Sequence, residues 1–157
     1  MFNFINELFS NNVLMSGLFS WFFAQFLKIL IEIFSFNTKK TPFNSKEFIK
    51  KTFFETGGMP SSHSATVSAI SISIGFSNTV KSPIFALSLI LIFIVVRDAT
   101  GVRLSSGRQG QLLNQLIDQF YSDKGIKKIK EVRGHTLMEC FIGIIIGVLI
   151  ALGVNLL

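Results

Sequence analysis

Apolar residues gather along this chain in four runs, and the polar stretches between them are uneven in charge. The first run extends from about Val13 to Phe36, the second from Ser64 to Phe76, the third from Ile84 to Val96 and the fourth from Leu137 to Leu157. A bilayer span takes about 20 residues, so the first and fourth runs qualify directly. The second and third are shorter and contain serine, but each extends into less apolar flanks, and both read as buried spans of a compact bundle. A fifth pattern lies in the last loop. Leu112, Leu113, Leu116, Ile117 and Phe120 recur at helical spacing within Gly110–Tyr121, with Gln111, Asn114, Gln115, Asp118 and Gln119 on the other side. This predicts an amphipathic helix that lies on the membrane or covers one end of the bundle, or simply packs against it. Ser122-Asp123-Lys124-Gly125 reads as the turn after it. The expected fold is all-α: a polytopic membrane bundle of about four transmembrane helices plus one amphipathic cytoplasmic helix, as one domain over residues 1–157.

Composition agrees with a membrane setting. Apolar residues make up 49% of the chain, charged residues 15%, and there are 18 phenylalanines, which is too apolar for an ordinary soluble domain. The net charge of +6 is concentrated in two groups. Lys39, Lys40, Lys46, Lys50 and Lys51 form one; Arg103, Arg108, Lys124, Lys127, Lys128, Lys130 and Arg133 form the other. Nucleic acid binding would need a soluble basic face. Here the basic groups lie between apolar runs, so the lipid bilayer is the expected partner and nucleic acid is not. The positive-inside rule places both basic loops in the cytoplasm and both termini outside, which fits an even number of spans. The first run is too long for a cleaved leader, lacks a basic start and contains Lys28. The single cysteine, Cys140, sits in an apolar run and reads as a small buried residue.

The chemistry starts at Gly57-Gly58-Met59-Pro60-Ser61-Ser62-His63-Ser64-Ala65, directly before the second run. Backbone N–H groups at a helix start, with hydroxyl donors beside them, bind an oxyanion, and His63 adds a proton donor. On the predicted topology other polar residues reach the same membrane face. Lys28 and Glu32 lie in the cytoplasmic half of the first span, Arg97 and Asp98 end the third, and His135 and Glu139 start the fourth. Ionisable residues within spans are costly and mark function by default. His135 and Glu139 are four apart, on one helix face, so the carboxylate can hold one imidazole nitrogen and prepare the other as a nucleophile. Lys28, Arg97, Arg103 and Arg108 are available to phosphate oxygens. Two histidines, one cysteine and few carboxylates make no metal cluster, and no cofactor is expected. Each residue also has a plain structural role open to it. His63 can cap a helix, Glu139 can complement a helix dipole, Lys28 can snorkel, and Asp98 can pair with Arg97 or Arg103.

Together these residues resemble the divergent branch of the type 2 phosphatidic acid phosphatases, related to acid phosphatases and vanadium haloperoxidases. The resemblance is carried by residues 57–65, by Asp98-Ala99-Thr100-Gly101-Val102-Arg103, and by Gly134-His135-Thr136 followed by Glu139. Ala24-Gln25 with Lys28, and Leu113-Asn114, also fit, and the match covers nearly the whole chain. By resemblance, His63 is the acid, His135 the nucleophile and Glu139 its orienter. Ser61, Ser62 and Gly58 would line the phosphate site, with Lys28, Asp98 and Arg103. The chain departs from the wider family in having Ser62 for glycine, Glu139 for aspartate and Ile129 where an arginine stands. Arg103, Arg97 or Arg133 would then compensate from elsewhere. The resemblance implies metal-independent hydrolysis of a lipid phosphate monoester or pyrophosphate through a phosphohistidine at the cytoplasmic face. Phosphatidylglycerophosphate, phosphatidic acid and polyprenyl (pyro)phosphate are all open as substrates, and a homodimer is a candidate assembly. The alternatives are a non-catalytic lipid-phosphate binder and a structural membrane protein whose polar residues only pair helices.

Overall fold

The computed structural model describes residues 2–39, 58–121 and 125–157. Lys40, Lys46, Lys50, Lys51, Gly57 and the Ser122–Lys124 part of the expected turn lie outside the described residues. Among those described, the helices are α1 (Phe2–Phe9), α2 (Asn12–Lys39), α3 (Ser62–Asn78), α4 (Pro83–Arg97), α5 (Arg103–Phe120) and α6 (Leu137–Leu156), with a π-helical turn, Asp98–Val102, joining α4 to α5. The starts are encoded locally. Ser61 caps α3 by accepting the Ser64 N–H. Ser82 does the same for α4, with Pro83 in the first turn where its missing N–H costs nothing. Thr136 and Glu139 form a reciprocal capping box at the start of α6.

The helices form a membrane bundle with α3 at its centre, packed against α2, α4 and α6. Its interior is the reverse of a soluble core. Among the described residues the buried apolar side chains are small, Ala24, Pro60, Ala65, Ala69, Ala99, Cys140 and Ala151, alongside Ser16, Ser20, Ser64, Ser68, Ser71, Ser73 and Ser88. Large side chains such as Phe22, Leu87, Phe93, Phe141 and Leu149 point outward. This is the arrangement lipid favours: tails solvate the large apolar groups, while small residues let helix backbones approach. Between α3 and α6 the approach is closest, and a Cβ on Gly143 would strike the Ser61 carbonyl, one on Gly147 the Ala65 carbonyl. The interior serines are satisfied by carbonyls. Ser68 Oγ donates toward Ser64 O at 2.8 Å and reaches Ile144 O across the interface at 3.2 Å, and Ser71 Oγ donates to Ser88 O at 3.0 Å.

Two expectations change. About four spans are expected, and among the described residues three helical segments are long and apolar enough to cross a bilayer: Asn12–Phe34, the continuous Pro83–Phe120 stretch, and Leu137–Leu156. The central α3 has 17 residues, about 25 Å at 1.5 Å per residue against a hydrocarbon core of about 30 Å. Enclosed by three neighbours, it meets protein rather than lipid and so carries serine where a lipid-facing helix carries leucine. The amphipathic helix starts earlier than Gly110, at Arg103, and packs by the face opposite to its apolar one. Gly107, Gly110 and Asn114 are buried, whereas Leu112, Leu113, Leu116 and Phe120 are exposed. It therefore does not cover the bundle with its leucines; they face outward, as on a helix that meets lipid.

Candidate functional site

α2 and α4 run antiparallel to α3, and α6 runs parallel to it, as the paired positions Gly17 with Ile70, Gly75 with Phe85, and Gly143 with Ser61 require. One end of the bundle therefore collects the C-terminal half of α2, the start of α3, the end of α4 and the start of α6. Lys28, His63, Asp98, Arg103, His135 and Glu139 all lie at that end. The opposite end holds a separate polar contact, in which Asn155 Nδ2 donates to Ser73 Oγ at 3.0 Å and to Ala151 O at 2.8 Å.

His135 is the most constrained of these residues. Its side chain is 4% exposed, its N–H donates to the Ala99 carbonyl at 2.9 Å, and its Nδ1 lies 3.1 Å from Glu139 Oε2. The same carboxylate oxygen accepts the Thr136 N–H at 2.9 Å. One carboxylate oxygen of Glu139 thus meets both the capping N–H and the His135 ring. Burial pushes the His135 imidazole below the usual histidine range, and the hydrogen bond to Glu139 and its charge oppose that shift. With Glu139 on Nδ1, Nε2 is the nitrogen left for chemistry.

The charges around the two imidazoles come from different helices. Lys28, buried on α2, acts electrostatically on both His63 and His135, and is itself under the influence of Glu139 and Glu32. Its Cε lies 3.7 Å from where a Cβ on Gly58 would stand, and Gly58 has φ +84°, a conformation other residues adopt only with strain. Arg103 and Asp98 act on His63 as well, and they are paired with each other, Nε to Oδ2 at 2.5 Å. The π turn that separates α4 from α5 carries this pair. Such turns recur at functional sites, where they re-aim side chains within a helix.

Ser61 and Ser62 are buried at the start of α3. The Ser61 hydroxyl is engaged within the chain, accepting the Ser64 N–H at 3.4 Å and the Ser64 hydroxyl at 3.1 Å. Its N–H donates to the Glu139 carbonyl at 3.1 Å, which ties the α3 start to the α6 start. Ser61 therefore shapes the loop through its capping bonds. His63, by contrast, is exposed at the helix start. Arg97 lines a separate cavity with Gly101, Val102, Ser105, Ser106 and Gln109. Arg108 and Arg133 line another, of about 410 Å³, whose wall includes Glu139. No set of three His, Cys, Asp or Glu side chains able to hold a metal ion occurs among the described residues.

The sequence reading passed over the role of Asn114. Its Nδ2 donates to Ile129 O and to Glu131 Oε1, both at 2.9 Å, and its Oδ1 accepts the Ile129 N–H at 2.8 Å. A buried amide thus holds both backbone groups of Ile129, in the extended segment that leads to His135. Gly134 and Gly107 let that segment lie against α5, since a Cβ on either would strike backbone at Leu104 or Val132. The signal was present as Gly107, Gly110 and Asn114 at helical spacing, a small polar stripe opposite the leucines.

Comparison with known proteins adds to this geometry. The sequence model described as the divergent PAP2 family matches residues 9–150. An uncharacterized membrane protein of Bacillus subtilis (strain 168), YuiD, is 34% identical over 159 residues, covering 93% of this chain and 95% of the relative. No solved structure matches.

Proposed function

The chain belongs to the divergent PAP2 family, and from that premise we propose that it hydrolyses a lipid phosphate monoester or pyrophosphate through a phosphohistidine, without a metal. The observation that carries this reading is the His135–Glu139 pair, its imidazole buried and under the influence of Lys28 and of a second histidine, His63, on which Arg103 also acts. His135 Nε2 attacks phosphorus, and the bond from phosphorus to the leaving oxygen breaks. His63 gives its proton to that oxygen, and the dephosphorylated lipid leaves. Water then attacks the phosphohistidine, His63 takes a proton from it, and inorganic phosphate departs with His135 restored. Lys28 and Arg103 would neutralise the charge on the phosphoryl oxygens, which is most of what this chemistry asks of a protein. The loop at Gly58 to Ser62 and the α3 start would hold the phosphate through backbone N–H groups. Asp98 holds Arg103 in place for that task.

The two basic groups flanking the α2–α3 and α5–α6 connections support a cytoplasmic location for this end of the bundle, and the lipid-facing surface supports a lipid substrate. The test is phosphate release from a panel of lipid phosphates in detergent with EDTA present. Release that persists in EDTA and is lost in His135→Ala is expected. Folded protein that releases no more phosphate than this variant would leave binding without turnover, the reading in which the same scaffold only holds a lipid phosphate.

A further inference from the structure

Arg108 and Arg133 stand apart from the cations that act on the two histidines. They line a cavity of about 410 Å³ together with Gln111 of α5, Gly134, Gly58 and Glu139, within the roughly 300–1,000 Å³ of ligand sites. Two of these residues tie the cavity to the reacting centre. Glu139 is the carboxylate that holds His135, and Gly58 belongs to the loop against Lys28. The remaining chemistry is that of an anion site. Neither Arg108 nor Arg133 makes an ion pair among the described residues, and Gln111 adds an amide donor. The one carboxylate present is already bonded to His135 and to the Thr136 N–H. Guanidinium forks match phosphate oxygens in pairs.

We propose that this cavity is a subsite for a second phosphate group of the substrate, so that the preferred lipid carries two phosphates: a pyrophosphate, or a phosphodiester beside the scissile phosphomonoester. This rests on the phosphatase reading for the scissile group and narrows its substrate class. A lipid with a single phosphate would leave Arg108 and Arg133 without a partner. The expected discrimination is about tenfold or more, the size of one charge-assisted hydrogen bond.

Two measurements on the full chain in detergent test it. The first is binding of sodium pyrophosphate and sodium orthophosphate, followed by thermal shift, for wild type and for Arg108→Gln/Arg133→Gln. Both arginines are exposed, so the substitutions leave the bundle interior untouched, and each single variant is run as a control. Wild type is expected to bind pyrophosphate about tenfold more tightly, and the double variant to lose that preference. The second is kcat/KM for phosphatidylglycerophosphate and for a polyprenyl pyrophosphate, each against phosphatidic acid, with a ratio above one expected to collapse toward one in the double variant. Equal binding of both ions, or a preference the double variant retains, would overturn the subsite. A pyrophosphate preference that the variant loses, with no lipid hydrolysed, would sustain the subsite and overturn hydrolysis. A preference confined to the free ion, with phosphatidylglycerophosphate and a polyprenyl pyrophosphate each hydrolysed no faster than phosphatidic acid, would overturn the assignment to a lipid headgroup.

Discussion

At the scale of single residues, the site turns on how one carboxylate divides its bonds. Glu139 Oε2 meets both His135 Nδ1 and the Thr136 N–H, so a residue of the first turn of α6 also holds the imidazole. Burial holds the His135 imidazole below the ordinary value of 6.5, which keeps it neutral and nucleophilic near pH 7. The acidic limb of kcat/KM set by His135 is therefore expected below pH 6.5. Glu139→Gln removes an influence that raises the imidazole pKa, so the limb should move further toward acid while the rate falls about 10²-fold. A pH–rate profile of both proteins checks the direction, and a limb moving toward neutral pH would contradict the assignment. The same shift acts on stability. The unfolded chain binds a proton at His135 more readily, so this group's contribution is full above pH 6.5 and declines as pH falls toward the folded value.

At the scale of elements, α5 emerges as the support of the segment that leads to His135. Its leucines face outward, while Gly107, Gly110 and Asn114 take the stretch that runs into His135. Asn114→Ala leaves the Ile129 N–H and carbonyl without their partner, at a cost of about 2 kcal/mol. Faster amide hydrogen exchange at residues 126–134 is the expected result, with α2, α3 and α6 unchanged; uniform loosening of the bundle would show a different role. The α3–α6 contact makes a second prediction. Gly147→Leu drives a side chain into the Ala65 carbonyl and Ser68, and as an overpacking change in a tight interface it should cost about 3 kcal/mol or prevent folding. Leu149→Ala, on an exposed position of the same helix, should be mild by comparison in the same detergent melt.

At the scale of the whole molecule, the inverted distribution of side chains governs behaviour. The belt of exposed Phe, Leu and Ile requires lipid or detergent around it. Cys140 is 1% exposed, so the native chain offers little background to thiol reagents, and single cysteines report topology cleanly. In whole cells an impermeant maleimide is expected to label Lys81→Cys and to spare Ser105→Cys, which should react only after the membrane is opened. The reverse pattern would place the histidine end outside and would overturn the cytoplasmic orientation.

Much of this was legible in the sequence because lipid imposes simple rules. Long apolar runs mark helices, and the i,i+4 spacing of His135 and Glu139 already put imidazole and carboxylate on one face. Those features depend on residues close in the chain, whose geometry the helix itself dictates. What only the tertiary structure decided depends on neighbours far apart in sequence. That α3 sits at the centre, and so carries serine, follows from three helices enclosing it. That Asn114 grips Ile129 rather than water follows from two glycines that admit a backbone, and hydrophobic periodicity is blind to polar faces that pack. The split of the arginines, Arg103 beside Asp98 at the histidines and Arg108 with Arg133 in the adjoining cavity, follows from where the π turn aims α5. No spacing along the chain encodes that direction, because it is set by the packing of α5 against the segment it supports.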